Sequence, residues 1–347
     1  MKASTPPYRV FCPGSGILDN CIDSSASSAG HLAKSDFDVL QWSPSNSTHS
    51  KNINLVCVHA FGLSARAFSA LGENLSTRGY EVLASDLRGF GERRGQEGYH
   101  RVDFRVCLAD LRALLEYLRI SQPEAKTVLV GESMGGAVVI RLAAEVPDLV
   151  DAVIASAPAW RIFQVPGITA RGLVDRVVGE PGFASEWVIK RATSCDELRH
   201  YWKHGGRTRL TLTIKEAYRY LRLMQATPDH AAKIRTLPTL IIQGLYDRLS
   251  KPLASAGLLN RLSTPDKQLM IAAACEHLVL EENQLSQKVV EFIDSWLDYH
   301  LLGLGAPVRR EPVVVLGRGE LSEEDRNRVN KLVKAAGVGK SQTVPVF

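Results

Sequence analysis

The stretch Thr127-Val128-Leu129-Val130-Gly131-Glu132-Ser133-Met134-Gly135-Gly136-Ala137-Val138-Val139-Ile140 leaves the chain few choices. Its β-branched run predicts a strand, and an apolar helical pattern follows. Between them the order Gly-x-Ser-x-Gly predicts a sharp strand-to-helix turn with Ser133 at its tip. So tight a turn strains the serine backbone, and the residues two before and two after it must lack a bulky Cβ. Gly131 and Gly135 meet that requirement. The Ser133 hydroxyl is then lifted clear of the sheet, and the first N–H groups of the helix face any anion that develops beside it. A plain turn with a capping serine would carry the same letters, so the rest of the chain has to decide between the two.

The neighbouring segments alternate strand and helix at short intervals. Strands are predicted over Phe37–Trp42, Ile53–Val58, Tyr80–Ala84, Val150–Ser156, Pro238–Gly244 and Lys267–Ala272, with helices over Ala65–Ser76, Val102–Arg119, Leu253–Leu262 and Glu282–His300. Such alternation requires an α/β fold with a mostly parallel, doubly wound sheet. From Ala159 to Leu237 the rhythm breaks. Helical patterns appear over Glu186–Thr193, Asp196–His204 and Thr213–Ala226, with no strand run. This segment reads as a helical cap (159–237) inserted over the strand C-terminal edge, where open α/β sheets bind ligands. The core then comprises 36–158 and 238–300. Residues 1–35, rich in Pro, Gly and Ser, read as a flexible arm. Residues 301–347 read as a C-terminal extension with one helix, Ser322–Ala336, after a short strand over Pro312–Leu316. Gly339-Lys340-Ser341 has the ending of a phosphate loop, but Lys334 stands where its first glycine belongs, so that reading is discarded.

A serine hydroxyl is a weak nucleophile at neutral pH and needs a base, with an acid to orient the base. In a strand–elbow–helix architecture the order along the chain is Ser, acid, His. Asp247 follows a β-rich run, which places it on the same rim as Ser133; Asp266 precedes its strand and belongs on the opposite rim. His277 follows the strand Lys267–Ala272. His200, His204 and His230 fall in the cap, and His300 ends a helix. The candidate set is therefore Ser133, Asp247 and His277. The competing readings are a turn-capping aspartate and a structural histidine. Two backbone N–H groups, of Phe61 and Met134, are the expected oxyanion donors. His59 is expected to brace its loop, the Asp86–Glu92 loop to be structural, and Glu132 to pack or hydrogen-bond at the elbow.

Together these pieces resemble the α/β-hydrolase family, most closely its monoacylglycerol lipase and lysophospholipase-like serine hydrolases. The matching motifs are His59-Ala60-Phe61-Gly62, Asp86-Leu87-Arg88-Gly89-Phe90-Gly91, Gly131-Glu132-Ser133-Met134-Gly135-Gly136, Gln243-Gly244-Leu245-Tyr246-Asp247-Arg248 and Glu276-His277. They span about Phe37 to His300. The sequence departs from the family at Ala60, usually glycine, and at Glu132, commonly histidine. The resemblance implies hydrolysis of a carboxylic ester, with a monoacylglycerol or lysophospholipid as substrate. No metal or cofactor is expected. Rival activities on the same fold are those of a small-molecule carboxylesterase, a thioesterase and a proline-type aminopeptidase. An epoxide hydrolase or dehalogenase would need aspartate at position 133. A non-catalytic ligand-binding protein of this fold is the rival outside enzymes.

Composition enters at the substrate. The net charge is +5, but 159–237 alone carries 14 Lys and Arg against 7 Asp and Glu. This basic insert could meet anionic lipid surfaces or phosphorylated head groups. Ile162, Phe163, Val165, Trp187, Val188, Ile189, Leu221 and Met224 could line an acyl tunnel, or could form the cap's own core. Peripheral membrane contact through the cap is expected, and no nucleic-acid partner. No apolar run approaches a membrane span, and Met1–Pro7 lacks the apolar segment of a signal peptide. Asp19 and Asp23 argue against a transit peptide around Ser24–Ser28. The six cysteines form no C-x-x-C pair, so neither a disulfide frame nor a zinc site is suggested. The expectation is a cytoplasmic protein, peripherally associated with membrane.

Overall fold

Short apolar runs become the strands of one nine-stranded sheet: β1 (Arg9–Val10), β2 (Val39–Trp42), β3 (Ile53–Val58), β4 (Glu81–Ser85), β5 (Lys126–Glu132), β6 (Ala152–Ser156), β7 (Thr239–Gly244), β8 (Lys267–Ala272) and β9 (Val313–Leu316). The structure is a computed structural model that describes residues 9–10, 39–44, 50–161, 183–204, 208–209, 211–281, 284–305, 311–317 and 320–338. The spatial order is β1-β2-β4-β3-β5-β6-β7-β8-β9. β2 runs antiparallel to its neighbours β1 and β4, and every pairing from β4 to β9 is parallel. This is the α/β-hydrolase fold.

The helices cover both faces. α2 (Phe104–Ser121), α3 (Met134–Glu145), α7 (Pro252–Arg261) and α9 (Glu323–Ala335) lie on one side, and α1 (Ser69–Ser76) and α8 (Gln287–Leu297) on the other. β3 shows why its sequence is apolar throughout. Val56 and Val58 face the α2–α3 side, while Ile53, Leu55 and Cys57 face the α1–α8 side. Successive side chains alternate across a strand, and both faces are covered. Cys57 and Cys107 are buried, as small core residues.

Between β6 and β7 the described residues contain three helices, α4 (Phe183–Ala192), α5 (Asp196–His204) and α6 (Ile214–Ala231). α6 starts on a capping box, in which Thr213 accepts the Glu216 N–H and Glu216 accepts the Thr213 N–H. It runs past the expected end at Ala226 and through Pro228, and it packs on α3.

Several elements differ from expectation. The helix predicted over Ala65–Ser76 is a 3₁₀ turn, Ala65–Phe68, followed by α1. Ser64 makes no side-chain cap; Asp86 Oδ1 instead accepts the Ala65 N–H at 2.7 Å. The helix predicted over Glu282–His300 starts at Gln287, because Ser286 caps it by accepting the Val289 N–H; a π turn, Asp298–Leu302, follows it. Within 1–35, Arg9 and Val10 pair with β2. The C-terminal strand joins the sheet beside β8, and Ser322 caps α9 ahead of Glu323, Glu324 and Asp325. Ser24–Ser28, Ile162, Phe163, Val165, Gly339, Lys340, Ser341 and the Trp187 side chain lie outside the described residues.

Candidate active site

β5 runs directly into Ser133, and α3 starts at the next residue, Met134. Ser133 has φ 53° and ψ −108°, a conformation that costs a non-glycine residue about 1–3 kcal/mol. Its surroundings impose it. The Ser133 N–H donates to Ser156 O at 2.8 Å, and the Ser133 carbonyl accepts from Ala159 N at 2.8 Å and Ala137 N at 3.1 Å. The flanking glycines are steric necessities. A Cβ on Gly135 would lie 1.9 Å from Val58 O, and one on Gly131 would lie 2.3 Å from Gly135 O.

Two further loops leave the same edge of the sheet. β7 ends at Gly244 and leads to Asp247; β8 ends at Ala272 and leads to His277. The loops touch closely, since a Cβ on Gly244 would sit 1.8 Å from Glu276 O. The structure brings the three candidates together. His277 Nδ1 lies 2.8 Å from Asp247 Oδ2, and His277 Nε2 lies 2.8 Å from Ser133 Oγ. With Nδ1–H donating to Asp247, Nε2 is left to accept from the serine hydroxyl. All three side chains are buried. Asp247 also accepts from Gln243 Nε2 at 3.0 Å and from the N–H groups of Leu249 and Ser250, each at 2.8 Å. Burial opposes protonation of His277, yet the Asp247 carboxylate, with Glu132 behind it, lifts the imidazole above the ordinary histidine range. Asp266 lies at the other end of β8, where it pairs with His300 Nδ1 at 3.0 Å.

Met134 is the first residue of α3, where an N–H has no intrahelical partner. Phe61 follows β3, and its ring stacks on Tyr220 of α6 at 5.4 Å between centroids. His59 braces this loop. Its Nε2 accepts the Leu87 N–H at 3.1 Å, so Nδ1 carries the proton and donates to Ala60 O at 2.8 Å. Asp86 and Arg88 hold the glycine-rich loop, Asp86 through the Ala65 and Glu92 N–H groups and Arg88 through a two-toothed pair with Asp110.

Sequence reasoning missed the groups around the acid and the base. Gln243 bridges Asp247 to Ser255; its place in the Gln243–Arg248 motif was the only signal. Glu276, beside His277, accepts from the Ser194 N–H at 2.6 Å, the Ser194 hydroxyl at 3.0 Å and Arg248 Nη2 at 2.8 Å. It thereby ties the α4–α5 turn to both loops. A cavity of about 420 Å³ opens beside this tie, with Ser194, Cys195, Glu276, Gln284 and Lys288 in its wall; Ser133, Asp247 and His277 do not line it. Among the apolar tunnel candidates, Ile189 packs with Ala60, Leu63 and Leu278, and Met224 belongs to the main core. Leu221 is exposed.

Comparison with known proteins shows what the chain is similar to. The family model described as serine aminopeptidase, S33, matches residues 49–284. A monoacylglycerol lipase of Mycolicibacterium smegmatis is 25% identical over 276 residues, covering 76% of this chain and 93% of its own length. The monoglyceride lipase of Mus musculus is 24% identical over 287 residues, 80% of this chain and 92% of the relative. Among solved structures, the monoacylglycerol lipase of Paleococcus ferrophilus shares the fold with a TM-score of 0.62 at 22% identity, covering 76% of this chain and 98% of its own.

Proposed function

The chain belongs to the serine aminopeptidase S33 family, and from that premise we propose that it is a serine hydrolase that cleaves carboxylic esters through an acyl-enzyme, with a monoacylglycerol or lysophospholipid as substrate. One observation carries the reading: an unbroken hydrogen-bond chain from Ser133 through His277 to Asp247, 2.8 Å at each link. Ser133 Oγ attacks the acyl carbon while His277 Nε2 takes its proton. Asp247 holds the imidazole in the required tautomer and faces the positive charge as it forms. The carbonyl oxygen, now an anion, is met by the N–H groups of Phe61 and Met134. His277 hands its proton to the leaving alcohol. Water, deprotonated by the same histidine, then releases the acid.

The substrate class is supported by relatives that are named monoacylglycerol and monoglyceride lipases. Residues 159–237 are the cap on this reading. On α6, Tyr218 and Leu221 are exposed beside Lys215 and Arg222, a combination suited to an anionic lipid surface. Among the described residues no helix is long and apolar enough to cross a membrane, so contact would be peripheral. The family description itself favours a second reading, removal of an N-terminal residue from peptides.

A single panel separates the readings. The purified chain is offered monoacylglycerols of graded length, lysophospholipids, a short-chain ester and a prolyl arylamide, with Ser133→Ala as the blank. The expected result is release of long-chain fatty acid, lost in the blank. Turnover of short esters with no long-chain lipid hydrolysis overturns the lipid reading, and arylamide cleavage alone supports the peptidase.

A further inference from the structure

The last residue of β5, next to the nucleophile, is a glutamate with no exposed surface. Glu132 Oε2 accepts the Leu280 N–H at 2.7 Å, and Oε1 accepts the Val279 N–H at 3.3 Å. Those amides lie two and three residues beyond His277. Leu278, Val279 and Leu280 are themselves buried. One carboxylate thus spans the site from behind, bonded along the chain to Ser133 and through hydrogen bonds to the segment that carries His277.

A buried carboxylate is costly unless something offsets it, and here two N–H donors do so. The next residue along the segment is a second buried carboxyl, Glu281, whose Oε1 has no partner among the described residues. Burial, with the nearby charge of Glu132, pushes the Glu281 carboxyl well above the usual range. Burial also raises Glu132, to about 7, against the pull of the Ser156 side chain, the two amide donors and His277, so it carries its charge above that pH. Two N–H groups donate to Glu132 and none to Glu281 Oε1, so the geometry favours the charge on Glu132. Among the described residues, the charged groups set against His277 are Asp247 on Nδ1 and Glu132 behind, with Glu276, paired to Arg248, next to it in the chain and Glu281 beyond Glu132.

We propose that Glu132 is a positioning residue for the base: it fixes the segment bearing His277 and supplies a second buried negative charge that favours the imidazolium formed when Ser133 gives up its proton. Glu132 exchanges no proton in the reaction. The proton moves from Ser133 Oγ to His277 Nε2 and on to the leaving alcohol, while Asp247 keeps its hold on Nδ1–H. The proposal rests on the reading of Ser133, Asp247 and His277 as the triad.

The test is Glu132→Gln, with the His277 ring titrated by NMR and the pH profile of kcat/KM recorded alongside. Glutamine keeps the shape, removes the charge and gives up one acceptor. The His277 midpoint and the acid limb of kcat/KM should both move to lower pH by about half a unit or more, and kcat should fall about tenfold. Glu132→His gives a second replacement without the negative charge and predicts the same direction. A folded variant whose His277 midpoint and acid limb match the wild type overturns the proposal, because a merely structural tether would leave both in place. Failure of the triad reading looks different: the wild-type protein would not react with a fluorophosphonate at Ser133, whatever His277 does on titration.

Discussion

Ser133 is held by backbone atoms, whereas His277 is held by side chains. The serine sits at φ 53° between two glycines whose Cβ positions are already occupied by backbone atoms. Removing a distant side chain would not release it. The histidine rides on a loop whose place depends on Asp247, on the Glu276 contacts with Arg248 and Ser194, and on Glu132 beneath it. A nucleophile needs one unchanging geometry, which steric exclusion supplies. A base must take up and release charge, and side-chain carboxylates answer to charge as a peptide backbone does not. The two halves of the site should therefore fail differently when they are disturbed.

The largest effect expected on the base side comes from Asp247→Asn. An amide can face His277 with its NH₂ and favour the wrong tautomer, so kcat should fall about 10⁴-fold with the fold intact. On the nucleophile side, Gly135→Ala forces a Cβ against Val58 O. It should cost roughly 1–3 kcal/mol in a denaturant melt and remove most activity together with stability, whereas Asp247→Asn separates the two. Gln243→Ala takes one donor from Asp247 and leaves Ser255 facing a void. A loss of about tenfold in kcat/KM is expected, in line with one hydrogen bond to a charged group. The smallest effect is a position rather than a loss. His277 must be neutral to act, and it holds its proton more tightly than an ordinary histidine of pKa 6.5. Activity is thus full above that raised value and is lost as pH falls through it, so the acid limb of kcat/KM should lie above pH 6.5. A limb well below 6 would mean that the carboxylates behind the ring do not act on it.

The same contrast explains what could be read from the sequence. β3 and β8 were legible to the residue, since both their faces are buried and their apolar runs are bounded by polar turns. The elbow was legible because its demand is local: the glycines stand within two residues of the serine. Asp247 and His277 could be named from chain order and strand ends alone. Their supports could not. Gln243 was signalled only by its motif, and Glu132 was expected to hydrogen-bond at the elbow with no partner named; Glu276 and Glu132 reach amides 82 and 148 residues away along the chain, and no periodicity encodes a contact of that kind. The starts of α1 and α8 were misplaced for a related reason. Asp86, remote in sequence, serves the Ala65 N–H, and Ser286 caps a helix that the apolar pattern alone would have begun earlier. In α6 the misplaced boundary was a stop: the expected end at Ala226 falls short of Ala231, and Pro228 lies inside the final turn.

On this reading Ser133 is a nucleophile made reactive by His277. Intact-mass analysis after exposure to a fluorophosphonate tests it most directly, with wild type, Ser133→Ala and His277→Ala treated side by side. One adduct per wild-type chain is expected, mapped to Ser133, absent from Ser133→Ala and formed at least about 10³-fold more slowly in His277→Ala. An adduct that persists in Ser133→Ala, or a wild-type chain that forms none, would contradict it.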